Sequence, residues 1–177
     1  MINGDDIVKW LGYGVDHTEF AKEMRQMGLK LKGTDSEYYD THFNWKPKQS
    51  LRFELFRLAH FIKITDYPPK FNSDWIFVDI EFCRAGYDDS LKETFSGTPP
   101  FGLSIDNTAA ECIAILGEPK INDYYEAPGF HYKVLAWISG DKYIGIAFEN
   151  ETDSARINCL GVSLVGAGVG WGVDWEQ

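Results

Sequence analysis

FHYKVLAWISGDKYIGIAFENETDSARINCLGVSLV, residues 130–165, is the stretch whose reading decides the fold. It holds three runs rich in β-branched and aromatic residues, 130–139, 142–150 and 156–165, parted by Ser-Gly-Asp-Lys and by the polar stretch Glu-Asn-Glu-Thr-Asp-Ser. Runs of that length bounded by turn residues read as strands, and connections this short make neighbours antiparallel. The stretch therefore predicts a three-stranded meander.

The sequence before it, PPFGLSIDNTAAECIAILGEP at Pro99–Pro119, reads as a helix with both ends marked. Thr108 and Glu111 have the spacing of a capping box, in which each side chain accepts from the other residue's backbone N–H. Ala109, Cys112, Ile113 and Leu116 recur at helical spacing, and Gly117 with Pro119 stops the helix. The same grammar appears in YGVDHTEFAKEMRQMG, residues 13–28, with Asp16 and Glu19 as the expected capping pair, Phe20, Met24 and Met27 as the stripe, and Gly28 as the stop.

After that first helix come EYYDTHFNW, then LRFELFRLAHFIKITDY, then WIFVDIEFCR. Residues 75–84 read as a strand. The stretch 51–64 fits both periods, because Leu51, Leu55, Leu58 and Ile62 also have helical spacing. Helix followed by strands, twice, predicts an α+β fold: antiparallel sheet with helices packed on one face, and 10–85 and 100–165 as two helix-plus-meander pseudo-repeats sharing a sheet. A chain of 177 residues suits a single domain over 1–177. Residues 166–177 form a Gly/Trp-rich tail. Its glycines, Gly166, Gly168, Gly170 and Gly172, alternate strictly, and Trp171 stands where a dinucleotide fingerprint needs its third glycine.

Net charge is −10 and unevenly spread: residues 71–177 hold six basic against 17 acidic side chains. That balance argues against direct nucleic-acid binding and favours a basic partner. MINGDDIVKW lacks the basic start and apolar centre of a secretory signal, and no run reaches a membrane span, so the expectation is a cytoplasmic chain with no membrane contact. Cys83, Cys112 and Cys159 lie far apart in the sequence among apolar neighbours, and read as buried free thiols.

The search for chemistry finds no enzyme signature. Asp79 and Glu81, two apart on the 75–84 strand, point to one face as paired metal-binding carboxylates would, but a solvent-facing polar stripe is the expected arrangement. His17, His42, His60 and His131 have no zinc spacing, and Ser163 lacks the second glycine of a nucleophile elbow. No catalytic residue, cofactor or metal is expected.

The segment Pro100-Phe101-Gly102-Leu103 through Leu116-Gly117-Glu118-Pro119 resembles one found in bacterial immunity proteins of polymorphic and contact-dependent toxin systems. A similar segment occurs in lipoproteins with a helix-and-sheet repeat like that of the β-lactamase inhibitor protein. The resemblance implies a protein that neutralises a cognate toxin by occlusion, its acidic face meeting a basic, nuclease-like toxin domain. The expected contacts are Asp88 and Asp89 in the connection, Asp123, Tyr124, Tyr125 and Glu126 in the loop after the second helix, and Glu149, Glu151 and Asp153 in the last hairpin turn. The alternatives are a small metal-dependent hydrolase using Asp79, Glu81 and His131, and a non-inhibitory regulator that binds another protein.

Overall fold

The computed structural model describes residues 1–65, 67–127 and 130–167. Four α-helices, α1 (Gly4–Val8), α2 (Thr18–Gln26), α3 (Leu58–Thr65) and α4 (Ala109–Leu116), accompany seven strands: β1 (Thr41–Lys46), β2 (Leu51–Arg57), β3 (Trp75–Cys83), β4 (Ile121–Ala127), β5 (Phe130–Ser139), β6 (Lys142–Phe148) and β7 (Ile157–Leu164). The strands make one antiparallel sheet in the order β1-β2-β3-β7-β6-β5-β4. The fold is α+β. Two meanders, β1-β2-β3 and β4-β5-β6-β7, meet where their last strands pair, β3 against β7.

The ambiguous stretch 51–64 is both things in turn. Leu51, Phe53 and Leu55 alternate inward as β2, and at Leu58 the chain turns directly into α3. Residues 123–126, expected in a loop, belong instead to β4, which finds a complete partner in β5 from Ile121 opposite Ala136 to Ala127 opposite Phe130. Residues 168–177, with Trp171 and Trp175, lie outside the described residues.

Both helix starts are capped, one as expected. Thr108 N donates to Glu111 Oε2 at 2.7 Å and Glu111 N to Thr108 Oγ1 at 3.4 Å, a complete capping box. Thr108→Ala is expected to cost about 1 kcal/mol in urea denaturation. On α2 the cap is His17, whose Nδ1 accepts from Phe20 N at 3.4 Å, rather than Asp16. Asp16 is engaged elsewhere, accepting from Ser73 Oγ at 2.8 Å.

The main core lies on one face of the sheet. Phe20 of α2 stacks on Phe77, which packs against Phe53, and the Trp137 indole donates to the carbonyl of Gly117 just past α4. A β-bulge sets this face. Glu54 lies opposite Asp79 but Leu55 opposite Phe77, so Val78 is the extra residue. Without it strict alternation would send Phe77 to the same face as Asp79. With it, Phe77 joins the helices and Asp79 goes to the other side. There Phe77 is paired by the N-terminal segment, accepting from Gly12 N at 2.8 Å and donating to Tyr13 O at 2.9 Å.

Candidate functional site

On the face away from α2, the register lines side chains into rows that cross the sheet. One row runs Trp45, Arg52, Glu81, Gly161, Gly145 and Ala136. The next runs Phe43, Glu54, Asp79, Ser163 and Tyr143. Past Glu81, Cys83 stands opposite Cys159, and Cys159 opposite Ala147. Three carboxyl groups, one guanidinium and two thiols thus share a face on β2, β3 and β7.

Asp79 and Glu81 are not the solvent-facing stripe the sequence suggested: they are 2% and 1% exposed. β3 is paired on both sides in the seven-stranded sheet and all nine of its residues are buried, those on the face of Asp79 and Glu81 included. Arg52 forms an ion pair with Glu81 Oε1, and its guanidinium lies 5.0 Å from the Phe43 ring and 5.4 Å from that of Trp45. Both oxygens of Asp79, Oε2 of Glu81 and Oγ of Ser163 are buried without a hydrogen-bond partner among the described residues. Burial pushes Glu81 up to about 7 against the pull of Arg52, and does the same to Glu54. Asp79 is raised well above the usual carboxylate range by burial, then by Glu81 and Glu54. Burial favours the neutral form of each carboxyl, so Asp79 keeps its proton well above the usual carboxylate range, while Glu54 and the Arg52-paired Glu81 ionise at about 7.

Cys83 and Cys159, 76 residues apart, meet with their sulfurs 3.5 Å apart. Cys83 N donates to Ser50 O and its carbonyl accepts from Phe95 N, so Cys83 and Cys159 form a pair with no hydrogen bonds between them, the kind whose side chains approach most closely. Leu91 and Tyr87 of the connection after β3 pack over them, with Ala147 and Tyr132. Cys112 is elsewhere, buried in the main core on α4, its thiol pushed up to about 12 by burial.

The acidic residues expected at an interface divide between the two faces and their edges. As β4 is a strand, Asp123 and Tyr125 point one way and Tyr124 and Glu126 the other. Tyr125 stacks on Tyr132 at 5.1 Å, on the thiol side of the sheet, where the Asp88–Asp89 loop also lies. Asp88 closes its own turn by accepting from Ser90 N at 2.8 Å. On the other side His131 gathers two carboxylates, Glu126 Oε1 at 3.2 Å from Nε2 and Glu151 Oε2 at 2.8 Å from Nδ1, with the Tyr124 ring 5.8 Å away. Glu149 is held apart from them, 3.5 Å from Arg84 Nε and accepting from Arg156 N, while Asp153 is exposed in the same β6–β7 loop.

His131 is therefore no partner for Asp79 and Glu81. It stands three strands from β3 and on the Leu135–Trp137 side of β5. The hydrolase constellation drawn from sequence is not assembled. Arg52 and Glu54 escaped the sequence reading, which took Cys159 only as a buried free thiol, although the alternation of Arg52 and Glu54 with Leu51, Phe53 and Leu55 placed both on one face.

No family model matches the chain, and no curated protein matches it. Among solved structures it is similar to a DUF4309 family protein (YjgB) from Bacillus subtilis subsp. subtilis str. 168, 9% identical, with a TM-score of 0.38, over 91% of this chain and 97% of that one. No helix among the described residues is long and apolar enough to cross a membrane.

Proposed function

We propose that this chain is a binding protein of the immunity type, which captures a basic toxin domain in the cytoplasm and occludes it. The observation that carries the reading is the acidic edge at β4, where His131 holds Glu126 and Glu151 together beside the half-exposed Tyr124. β4 ends the sheet and pairs with β5 alone among the described strands, so a partner strand could add to its outer backbone groups. A sheet edge offers directional hydrogen bonds, and acidic side chains around it speed encounter with a basic surface. Tyrosine adds apolar area at little entropic cost, as contacts at the centre of an interface do. Asp123 and Tyr125 extend the edge on its other side, and Asp88, Asp89, Glu149 and Asp153 supply further acidic charge in the loops after β3 and β6.

The product of the gene adjacent to this one is the first partner to test, by co-expression and by surface binding kinetics. The expected result is a complex and loss of the partner's toxicity. Replacing Asp123, Glu126 and Glu151 together by lysine should slow association on the order of ten-fold at low salt, and less at high salt, where the field is screened. A toxic neighbour that neither binds nor loses toxicity sinks the reading, and unchanged association at low salt removes β4 from the interface.

A further inference from the structure

Glu81, Cys83 and Cys159 place one carboxylate oxygen and two sulfurs within 4.8 Å of one another, all three side chains buried. We propose that these three side chains form a binding site for a thiophilic divalent cation, zinc above all. Two sulfurs 3.5 Å apart have about the separation that two thiolates take on one tetrahedral zinc, given Zn–S bonds of about 2.3 Å. The pairing of the strands fixes this spacing. Cys83 and Cys159 face each other across β3 and β7, and Glu81 lies two residues back on the same side of β3.

A second observation points to a ligand. Glu81 is 1% exposed and, among the described residues, its Oε2 has no hydrogen-bond partner of ordinary geometry, with the Cys159 thiol lying close by, while Oε1 is held by Arg52. One oxygen anchored by a guanidinium and the other left open is how a metal-binding carboxylate is oriented by its outer neighbours. A buried orphan acceptor in a folded protein calls for an ion or a water to satisfy it. The charges also balance: a dication with two thiolates and one carboxylate carries a single negative charge, and Arg52 supplies the opposite one.

Asp79 and Glu54 lie on the same face beyond Glu81, and Tyr87 covers the thiols. Thiolate sulfur selects zinc over magnesium or calcium, which take oxygen ligands. Binding converts two thiols to thiolates bonded to the metal and releases their two protons to solvent. Three protein ligands leave the fourth position to a water. The site stands independently of the partner-binding reading.

The test uses the reduced, metal-stripped full chain titrated with cobalt(II). The expected result is one cobalt per chain, with intense thiolate-to-cobalt charge transfer and the visible bands of a tetrahedral site, both bleached by zinc. Cys83→Ser and Cys159→Ser should each abolish or halve the charge transfer. Cys112→Ser should leave it intact, and Glu81→Gln should weaken binding on the order of ten-fold or more. Circular dichroism of each variant checks that it folds. Should the cysteine variants not fold, the unaltered chain still decides: no charge transfer at saturating cobalt overturns the proposal. So does charge transfer lost in Cys112→Ser, or joining of Cys83 and Cys159 as a disulfide in place of metal uptake.

Discussion

Arg52→Met is expected to destabilise the protein by about 3–5 kcal/mol near pH 8, measured by urea denaturation, because it leaves buried carboxylates with no cation. Arg52 lies opposite Glu81 in the register, and its field also reaches Asp79 and Glu54. Methionine keeps an unbranched apolar chain but loses the guanidinium that lies against Phe43 and Trp45, so the loss reports mainly charge. Near pH 5 the same substitution is expected to cost only about 1 kcal/mol, since Glu54 and Glu81, which titrate at about 7, are then neutral and need no counter-ion. An equal loss at both pH values would assign the contribution of Arg52 to packing and remove the electrostatic account.

Asp79→Asn is expected to act in the opposite direction, stabilising the metal-free chain near pH 8 in urea denaturation. The ordinary value for an aspartate here is 3.8, and burial, Glu81 and Glu54 raise it well above that in the folded chain. Below the ordinary value both folded and unfolded chains hold the proton, and stability is full. As pH rises the unfolded chain ionises first, so stability drains away until the folded value is passed. Glu54 and Glu81 add a drain of the same sign between 4.5 and about 7. Asparagine does not ionise, so the variant should show a flatter stability profile with chelator present, and no gain near pH 4. A variant less stable than the parent near pH 8 would show that the carboxylate makes a favourable contact there.

The two expected results describe one feature, a polar cluster that the fold buries without fully satisfying. Natural chains keep such costly groups where function requires them, which is why removing one is expected to stabilise.

Much of the fold is legible in the residues. Thr108 and Glu111 specify the start of α4 by local hydrogen bonds, and Gly140 at the β5–β6 turn adopts a φ of 61°, which glycine takes without strain. The alternation across 130–165 marks β5, β6 and β7. These signals act over a few residues, so sequence carries them directly. The assignment of Asp123–Glu126 to a loop failed for the opposite reason. Their polarity is that of an exposed edge, and only pairing with β5 distinguishes such an edge from a turn.

By itself, then, the sequence determined α2, α4, β3 and the β5–β6–β7 meander, the capping of α4, the acidic bias of the second half and the shared face of Asp79 and Glu81. Tertiary structure alone decided what that face meets. Whether a polar stripe on a strand faces water or protein depends on which neighbouring strands and connections the fold sets beside and over it, as Tyr87 and Leu91 lie over the thiol end of this face. β3 became interior by pairing with β2 on one side and with β7, some 80 residues further along, on the other. That pairing buried the carboxylates, brought Arg52 to them, and set Cys83 beside Cys159. None of these contacts is local, and no period or motif in the chain encodes them.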